Sequence, residues 1–469
     1  MHIIITGGGI AGLSTYLFLR KNLPPSPPYT ISLYESHRPR TPNPNPNPNA
    51  LNHQPEHEPS FDTLSISTAI VGGGLGVSPN GMRALYDLDP DLHAAVSAQG
   101  FPCEHFVFMG ENGWTLGVQR TGDNGGYEGS EGREEVCVSS SRHGLWRCLN
   151  EKVGREVVKY RRVVGVEVRE TGRRLVRFED GGEEECDVLV GADGVRSVVR
   201  GSLFEGVEGT GPRYTGASGI GGFVDTDLPA RVLENKAMVF TFGGSGFFGY
   251  GSGGPPEAKS LMWWSTFETD DLPSRENLDR EEIKADMRKR HANSADPVIR
   301  DIIAKAEVES IYPTWVLPDL PHWGENGIVL VGDAAHALSP TTGQGASQAL
   351  EDAQTLSLLL AGTLKRAYDT GAEGGSLEEK EKDAVAVSLK LFYDIRAPRI
   401  KAIAERGRKM DQQKKEMSWF EEYGMYCFFW LMMHFSPLRK LAMGDVNTQL
   451  YGWSAKAEVE KALASVESS

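Results

Sequence analysis

Three glycines near the amino terminus have the spacing of a dinucleotide-binding turn. Gly7, Gly9 and Gly12 form a G-x-G-x-x-G pattern directly after the apolar run His2–Thr6, and Glu35 lies further along, at the end of a second predicted strand. In such a turn the glycines permit a tight bend, close approach of a pyrophosphate and close helix packing, while the acidic side chain accepts hydrogen bonds from a ribose. The pattern predicts a dinucleotide cofactor, and an unrelated glycine turn is the alternative.

A second candidate segment lies in the distal half of the chain. The apolar run 327–333 is typical of a buried strand and ends in Gly332-Asp333, and the loop Gly343-Gln344-Gly345 follows it. A similar run, 187–194, ends in Asp193-Gly194. Because a glycine fingerprint alone does not distinguish NAD from FAD, these distal segments have to make that distinction.

The three segments together resemble a known family. In their order and composition they are similar to the flavoprotein monooxygenases with the para-hydroxybenzoate hydroxylase fold, particularly the salicylate-hydroxylase-like branch common in fungi. The resemblance covers roughly residues 1–35, 64–200 and 320–410 and is weak across the middle of the chain. It implies an α/β fold: a Rossmann-like FAD-binding domain, an inserted and mostly β substrate domain, and a helical carboxyl terminus.

The resemblance also implies the chemistry. In the family, NADPH or NADH reduces FAD, O2 adds at the flavin C4a atom, and the resulting hydroperoxide transfers one oxygen to an aromatic ring or an alkene. The sequence carries one dinucleotide fingerprint, so we expect the nicotinamide to bind transiently in a shared groove. Metal-ligand spacing and a nucleophile motif are both missing from the sequence, which leaves the chemistry to the cofactor.

Several residues take expected roles from this resemblance. Asp333, at a strand end, would bind a ribitol hydroxyl, with a helix cap as the alternative. Gly343, Gly345 and Ala346 would present the free N–H groups of a helix that begins near Ala346 to the flavin pyrimidine edge, with a plain glycine-rich connection as the alternative.

Three further positions match family segments that pass beside the cofactors. Arg142 would lie against FAD, with a solvated arginine as the alternative. Asp193 would touch FAD and the path of the nicotinamide, although an Asp-Gly turn after a strand is common. Gly76 belongs to a glycine cluster that lacks the third glycine of a second fingerprint and whose Pro79-Asn80 is expected to end a turn, so Gly76 is expected to contact the flavin.

The substrate is expected to be neutral. Many salicylate-type relatives place an arginine shortly after the segment matching Tyr214–Gly216, whereas this chain continues with uncharged residues 217–222. Small aromatic, polyketide or terpenoid compounds of secondary metabolism are therefore candidates. The aromatic residues of the middle region are candidate pocket walls, each of them more often a core residue in general: Phe240, Phe242, Phe247, Phe248, Trp263 and Trp264.

Composition and patterning predict the domain organisation. We expect an FAD-binding domain over residues 1–210 and 322–410, a substrate domain over 211–321, and a helical segment over 411–469. Residues 36–62 include a Pro-Asn repeat and almost no apolar side chains, so we expect a disordered surface insertion there.

The remaining composition limits the partners and the compartment. A net charge of -15 argues against nucleic-acid binding, and five scattered cysteines are typical of reduced thiols inside a cell. No signal peptide is evident, so a cytoplasmic location is expected. The apolar run Met425–Phe435 is too short to span a bilayer, and it predicts either a packed helix or a peripheral contact with membrane or hydrophobic substrate.

Two other functions stay open at this point. A related FAD-dependent reductase or halogenase shares the cofactor motifs, although the Trp-x-Trp-x-x-Pro signature of halogenases is missing from the sequence. A non-enzymatic Rossmann-type binding protein is the other alternative, and the intact Gly332-Asp333 loop argues against it.

Overall fold

The computed structural model describes residues 1–37, 73–122, 134–244, 246–269, 279–308, 311–369, 376–411, 418–435 and 446–467. Most of the predicted insertion, residues 38–62, therefore lies outside the described residues. The strands are β1 His2–Thr6, β2 Thr30–Glu35, β3 Gly74–Val77, β4 Phe101–Cys103, β5 His105–Gly110, β6 Thr115–Arg120, β7 Cys137–Ser141, β8 Val158–Tyr160, β9 Val163–Val168, β10 Arg174–Phe178, β11 Glu183–Cys186, β12 Val188–Gly191, β13 Arg213–Asp225, β14 Ala237–Gly243, β15 Gly246–Ser252, β16 Ser260–Glu268, β17 Tyr312–Val316, β18 Gly324–Glu325 and β19 Ile328–Leu330. The helices are α1 Ile10–Asn22, α2 Pro79–Leu88, α3 Pro90–Gln99, α4 Arg142–Val153, α5 Val198–Leu203, α6 Ala230–Glu234, α7 Arg280–Arg290, α8 Pro297–Lys305, α9 Asp333–His336, α10 Gly345–Asp369, α11 Leu377–Asp411, α12 Trp419–His434, α13 Val446–Tyr451 and α14 Ala455–Glu467.

A six-stranded sheet carries the dinucleotide-binding turn. Its order is β18-β19-β12-β1-β2-β8, and all pairs except β18–β19 are parallel. The central strands are continuous apolar runs such as Ile3–Ile5 and Val188–Val190, which are fully buried. Such runs suit a parallel sheet covered on both faces. The carboxyl ends of β1, β2, β12 and β19 therefore meet at one edge, where the predicted cofactor segments of Gly7, Glu35, Asp193 and Asp333 begin.

A seven-stranded sheet forms the second layer of the molecule. Its order is β17-β13-β16-β15-β14-β5-β6, and its pairs are antiparallel except for β14–β5. The mostly β middle region is present as predicted. Two of its strands, however, come from residues 105–120, which the sequence interpretation counted with the FAD-binding part. The pairing of β5 with β14 joins residues far apart in the chain, and local patterning carries no signal for such a pairing.

The carboxyl-terminal part of the chain is helical, as predicted. Helix α10 is 25 residues long and packs against α1 and α11, so it lies in the core of the first domain. Helix α12 packs on β6 of the seven-stranded sheet. Among the described residues, no helix is both long enough and apolar enough to cross a membrane.

Three helix starts differ from their predicted positions. Helix α2 opens at Pro79, although the sequence indicated that Pro79-Asn80 ends a turn, because proline lacks only an N–H that the first helical residue leaves unpaired anyway. Helix α4 starts at Arg142 itself, since the Ser141 hydroxyl accepts from the Gly144 N–H and caps it. Helix α10 begins at Gly345, one residue before the predicted start.

Candidate functional site

One large cavity runs along the carboxyl edge of the six-stranded sheet and reaches the seven-stranded sheet. Its volume is about 2060 Å³, well above the roughly 300–1,000 Å³ of a pocket for one small ligand. The space suits a dinucleotide together with a second molecule. The structure brings ten of the eleven predicted cofactor residues to its wall: Gly7, Gly9, Glu35, Gly76, Arg142, Asp193, Asp333, Gly343, Gly345 and Ala346.

The first glycine turn is shaped by close backbone contacts. Gly7 has a φ of 100°, and a side chain there would overlap the carbonyl oxygen of Ala192. Gly12 does not line the cavity; a Cβ at this position would overlap the carbonyl oxygen of Gly7. Gly9 is the N-cap of α1 and provides no side-chain cap, so the unpaired N–H groups of the first turn are available at the cavity wall. The turn can hold a pyrophosphate.

Glu35 lies at the end of β2, beside this turn. Its carboxylate accepts hydrogen bonds from the Gly8 N–H at 2.6 Å, the His37 N–H at 2.9 Å and the Ser36 hydroxyl at 3.0 Å. Burial alone would raise the pKa of Glu35, but the hydrogen bonds from His37, Gly8 and Ser36 outweigh it and hold the pKa below its usual range. Glu35 is therefore an ionised acceptor fixed at the cavity wall.

Asp333 is exposed to the cavity at the start of α9. The N-cap of this helix is Gly332, whose φ is 59°, so the Asp333 side chain does not occupy the capping position. The Asp333 carboxylate makes no hydrogen bond with any residue in the described part of the chain. A Cβ at Gly332 would come within 2.9 Å of the Ala11 Cβ, so this turn packs against the first glycine turn. The geometry favours a ligand for Asp333 over the alternative of a helix cap.

The loop before α10 presents its backbone to the same cavity. Gly343 has a φ of 60°, and side chains added at Gly343 or Gly345 would meet no protein atom within 4 Å. The Gln344 side chain is buried and turned away, where its amide donates to the Ser78 hydroxyl at 2.9 Å. The positive end of a 25-residue helix therefore faces open space, as an anion or an electron-rich ring edge would require.

A buried ionic network fixes these two loops from behind. The Asp352 carboxylate accepts from the Gly332 N–H at 2.8 Å, from His336 Nε2 at 2.6 Å and from Arg396 Nε at 2.8 Å. Burial would raise the pKa of Asp352, but its interactions with His336 and Arg396 and the hydrogen bond from the Gly332 N–H outweigh it and lower the pKa.

Glu351 extends the network to the loop 343–345. Its carboxylate accepts from Arg396 Nη1 at 2.5 Å, from Arg399 Nε at 2.7 Å and from the Asn80 amide at 2.6 Å. The Asn80 amide also donates to the Gln344 side-chain oxygen at 3.2 Å. Helix α11 thus holds both cofactor loops in place through two arginines. A local sign was available for the arginines, because Arg396 and Arg399 have the i, i+3 spacing of one helix face.

Asp193 and Arg142 take different positions on the cavity wall. Asp193 Oδ2 accepts from the N–H groups of Val198 and Val199, while Oδ1 is buried without a hydrogen-bond partner among the described residues. Burial raises the pKa of Asp193. The Arg142 guanidinium is exposed to the cavity and makes no hydrogen bond or ion pair with the described residues. The Arg142 guanidinium therefore has donors available to a bound molecule, whereas Asp193 Oδ1 is enclosed by the protein.

Gly76 lies on β3, where space is limited by a neighbouring strand. A Cβ there would come within 3.0 Å of the Cys137 sulfur on β7. Gly76 lines the cavity, so it lets the backbone of β3 form part of the wall.

The end of the cavity at the seven-stranded sheet is aromatic. Of the six predicted wall residues, Phe240, Phe242, Phe247 and Trp264 line the cavity. The backbone also places Trp263 at the wall, but its side chain and that of Phe248 are buried and stack in the core at 5.9 Å. Alternation along the strands produces this division, since successive side chains point to opposite faces.

Two further aromatic residues reach the cavity from β5. Phe108 stacks on Phe240 at 5.6 Å between ring centroids, and Phe106 meets the same ring edge-on at 5.3 Å. Sequence reasoning missed both, because β5 lies outside the predicted substrate region. The alternating pattern His105-Phe-Val-Phe-Met109 is the signal that could have found them.

Comparison with known proteins agrees with this geometry. Residues 145–376 match the protein family described as FAD binding domain. The chain is 26% identical over 445 residues to FAD-dependent monooxygenase sor5 of Hypocrea jecorina, covering 88% of this chain and 84% of that protein. It is 28% identical over 353 residues to a salicylate hydroxylase of Pseudomonas putida, covering 70% of this chain and 74% of the relative.

The chain is therefore similar to FAD-dependent monooxygenases over most of its length. Its fold is also that of Klebsiella pneumoniae HpxO, solved with FAD and uric acid. The two share a TM-score of 0.65 at 18% identity, covering 100% of this chain and 97% of that structure. FAD is the cofactor that the matched FAD-binding family and the FAD-bound neighbour support, and the predicted fold class is confirmed.

Proposed function

We propose that this protein uses NAD(P)H and O2 to place one oxygen atom on a neutral, largely apolar aromatic or alkene substrate. The observation that carries the proposal is the continuity of the large cavity. It joins the edge with the predicted cofactor loops to an end walled by phenylalanine and tryptophan rings, so a flavin and an apolar compound can share one space.

The residues at the wall fit the parts of FAD in turn. Glu35 would bind the adenosine ribose, and the glycine turn at the start of α1 would bind the pyrophosphate. The Asp333 carboxylate would accept from a ribitol hydroxyl. The loop 343–345 would direct N–H groups at the flavin ring, and Gly76 and Arg142 would complete the wall around it.

FAD, when bound and reduced by NAD(P)H, would supply the chemistry that places one oxygen atom of O2 in the product and the other in water. The protein has three tasks around it. The start of α10 stabilises negative charge on the reduced ring, because its unpaired N–H groups lie at the positive end of a long helix. The aromatic walls exclude water and orient the substrate. Arg142 and Asp193 line the cavity, where they would lie beside FAD or a transiently bound nicotinamide.

The substrate class follows from the aromatic end of the cavity. Phe240 contacts Phe106, Phe108 and Trp264 at ring-centroid distances of 5.3, 5.6 and 5.7 Å. The adjoining backbone at 219–222 consists of Gly-Ile-Gly-Gly and offers no charge to a carboxylate. An uncharged ring or polyene gains most from such a surface, since desolvating a charged group there would go uncompensated.

The test begins with the purified protein. We expect a yellow protein, or one that takes up FAD, whose NAD(P)H oxidation consumes O2 and accelerates with phenolic or polyprenyl compounds. Product mass should increase by one oxygen. A gain of two hydrogens or of chlorine would instead show a reductase or a halogenase. A protein that cannot bind FAD would refute the proposal and favour a non-enzymatic binding protein.

A further inference from the structure

Helix α12, residues Trp419–His434, is apolar on every side. Its inner residues pack on the seven-stranded sheet, where Tyr426 is fully buried and donates a hydrogen bond to the Phe242 carbonyl at 2.7 Å. Its other side faces solvent. A helix that is hydrophobic all round is normally covered on all sides, by protein or by lipid.

The solvent side of α12 carries a continuous apolar stripe. Exposed residues at i, i+4, i+7, i+8 and i+11 share one face of a helix. We call them the outer stripe: Phe420, Gly424, Cys427, Phe428 and Leu431. Phe420 is 81% exposed and Phe428 is 49% exposed. Apart from His434, the only charged side chains of α12 are Glu421 and Glu422; Glu422 faces the inner side, where it bonds Tyr426, and Glu421 borders the amino-terminal end of the stripe.

Tryptophan rings border the outer stripe. Trp419 is 61% exposed at the start of α12, and Trp430 is 46% exposed near its end. Trp114, on the neighbouring hairpin, is also exposed and meets Tyr423 at 5.6 Å between ring centroids. Tryptophan is enriched where a protein meets the headgroup region of a bilayer, because its ring is apolar and its N–H is polar.

The inner side of α12 connects the outer stripe to the substrate end of the cavity. The Phe429 ring lies 5.5 Å from that of Phe108 and 5.4 Å from that of Phe242, and both of these line the cavity. An apolar layer one helix thick therefore separates the aromatic end of the cavity from the surface. An apolar surface that covers the outer stripe would also hold an apolar substrate close to the aromatic end of the cavity.

We propose that the outer stripe docks on the surface of a zwitterionic lipid bilayer, with α12 lying in the interface. The helix spans about 24 Å at 1.5 Å per residue, so it lies on the bilayer and does not cross it. Charge selects the lipid: the chain carries a net charge of -15, and α12 has no lysine or arginine to attract anionic headgroups. The docking proposal depends only on the features of α12. The idea that docking helps the protein to collect an apolar substrate depends on the proposed function.

Cys427 provides a direct probe of this docking. It is the one exposed thiol of the chain's five cysteines and lies in the outer stripe. A bimane label on Cys427 of the full-length, FAD-loaded protein should shift its emission to the blue with phosphatidylcholine vesicles. Brominated acyl chains should quench the emission. Addition of anionic phosphatidylserine should weaken the effect.

A pair of matched variants tests the surface itself. Phe420→Glu/Phe428→Glu should reduce sedimentation with phosphatidylcholine vesicles at least about tenfold, because each carboxylate would have to enter the interface. Val164→Glu/Val168→Glu changes two valines on β9 that are 50% and 45% exposed, and it should sediment like the parent. Flavin content and melting temperature confirm that each variant is folded, and the Cys427 label requires neither variant.

Three results would overturn the docking. The label could stay unshifted at millimolar lipid, both variant pairs could sediment alike, or light scattering could show a dimer that Phe420→Glu/Phe428→Glu dissolves without vesicle binding. The last result would assign the outer stripe to a second copy of the chain. Substrate-stimulated NAD(P)H oxidation, measured in the same preparation without lipid, reports on the proposed function separately.

Discussion

Removing the Arg396 guanidinium should show how strongly the buried network supports the cofactor loops. Arg396 is fully buried and donates to Asp352 at 2.8 Å, to Glu351 at 2.5 Å and to the Gln348 side chain at 2.7 Å. Arg396→Met keeps much of the volume but leaves two buried carboxylates with fewer positive partners. Breaking a buried ion pair in this way costs about 3–5 kcal/mol. We therefore expect the free energy of unfolding to fall by about that amount at neutral pH.

The pH dependence separates this electrostatic cost from a packing defect. In the parent, the pKa values of Glu351 and Asp352 are lowered, so their contribution is present above their ordinary pKa values and is lost as pH falls. The stability difference between the parent and Arg396→Met should therefore shrink as the pH falls towards 4 and below. Urea unfolding followed by tryptophan fluorescence at several pH values measures it.

A control on the same helix completes the experiment. Lys390 is exposed on α11, and Lys390→Met removes the same charge from the surface. This variant should change the free energy of unfolding by less than about 0.5 kcal/mol. FAD affinity should fall in Arg396→Met alone, because Gly332 and Gln344 lose their support. A loss under about 1 kcal/mol, or one of equal size at pH 4 and pH 7.5, would refute the reasoning.

Three further outcomes can be checked on single variants. Asp333→Ala should weaken FAD binding about tenfold or more while the apoprotein melts as the parent does, because the exposed carboxylate bonds no described residue; equal FAD titrations would contradict its role. Gly12→Val should abolish flavin retention, because its Cβ would overlap the Gly7 carbonyl; a yellow Gly12→Val protein would show that the turn can shift. Burial, followed by the charge of Glu422, raises the pKa of Glu111 to about 7. Protonated Glu111 therefore makes its full contribution to the stability of the fold below its ordinary pKa, and this contribution is lost as the pH rises through about 7. Glu111→Gln should therefore lose less thermal stability than the parent between pH 5 and pH 8, and parallel melting curves would exclude this.

Local patterns predicted the cofactor edge well. The strand, turn and helix around Gly7 and the buried strands before Asp193 and Asp333 are present, and parallel pairing brings their carboxyl ends together. These positions could be predicted because the residues that follow a strand are set by their place in the chain, and parallel strands bring their carboxyl ends to the same edge of the sheet. Helix starts were less predictable, as at Pro79, where the structure uses the proline as the first helical residue.

The aromatic end of the cavity was predicted in part. The sequence named the right strands, yet it could not say that Phe240 lines the cavity while Phe248 lies in the core. That choice depends on which face of the seven-stranded sheet meets the cofactor domain. The alternating pattern of β5 indicates a strand, but it does not show that Phe108 reaches the cavity, because β5 joins the sheet through a long-range pairing with β14.

The amino-acid sequence by itself determined the class of cofactor and most of the predicted residues that line the cavity, since backbone freedom at a glycine and charge at a strand end act within a few residues. Only the tertiary structure decided how those residues are held and what surrounds the substrate. Arg396 meets Asp352 because α11 packs against α10, and the outer stripe stays exposed because α12 has one sheet to cover it. Such contacts depend on how elements distant in sequence pack together, which residue spacing does not encode.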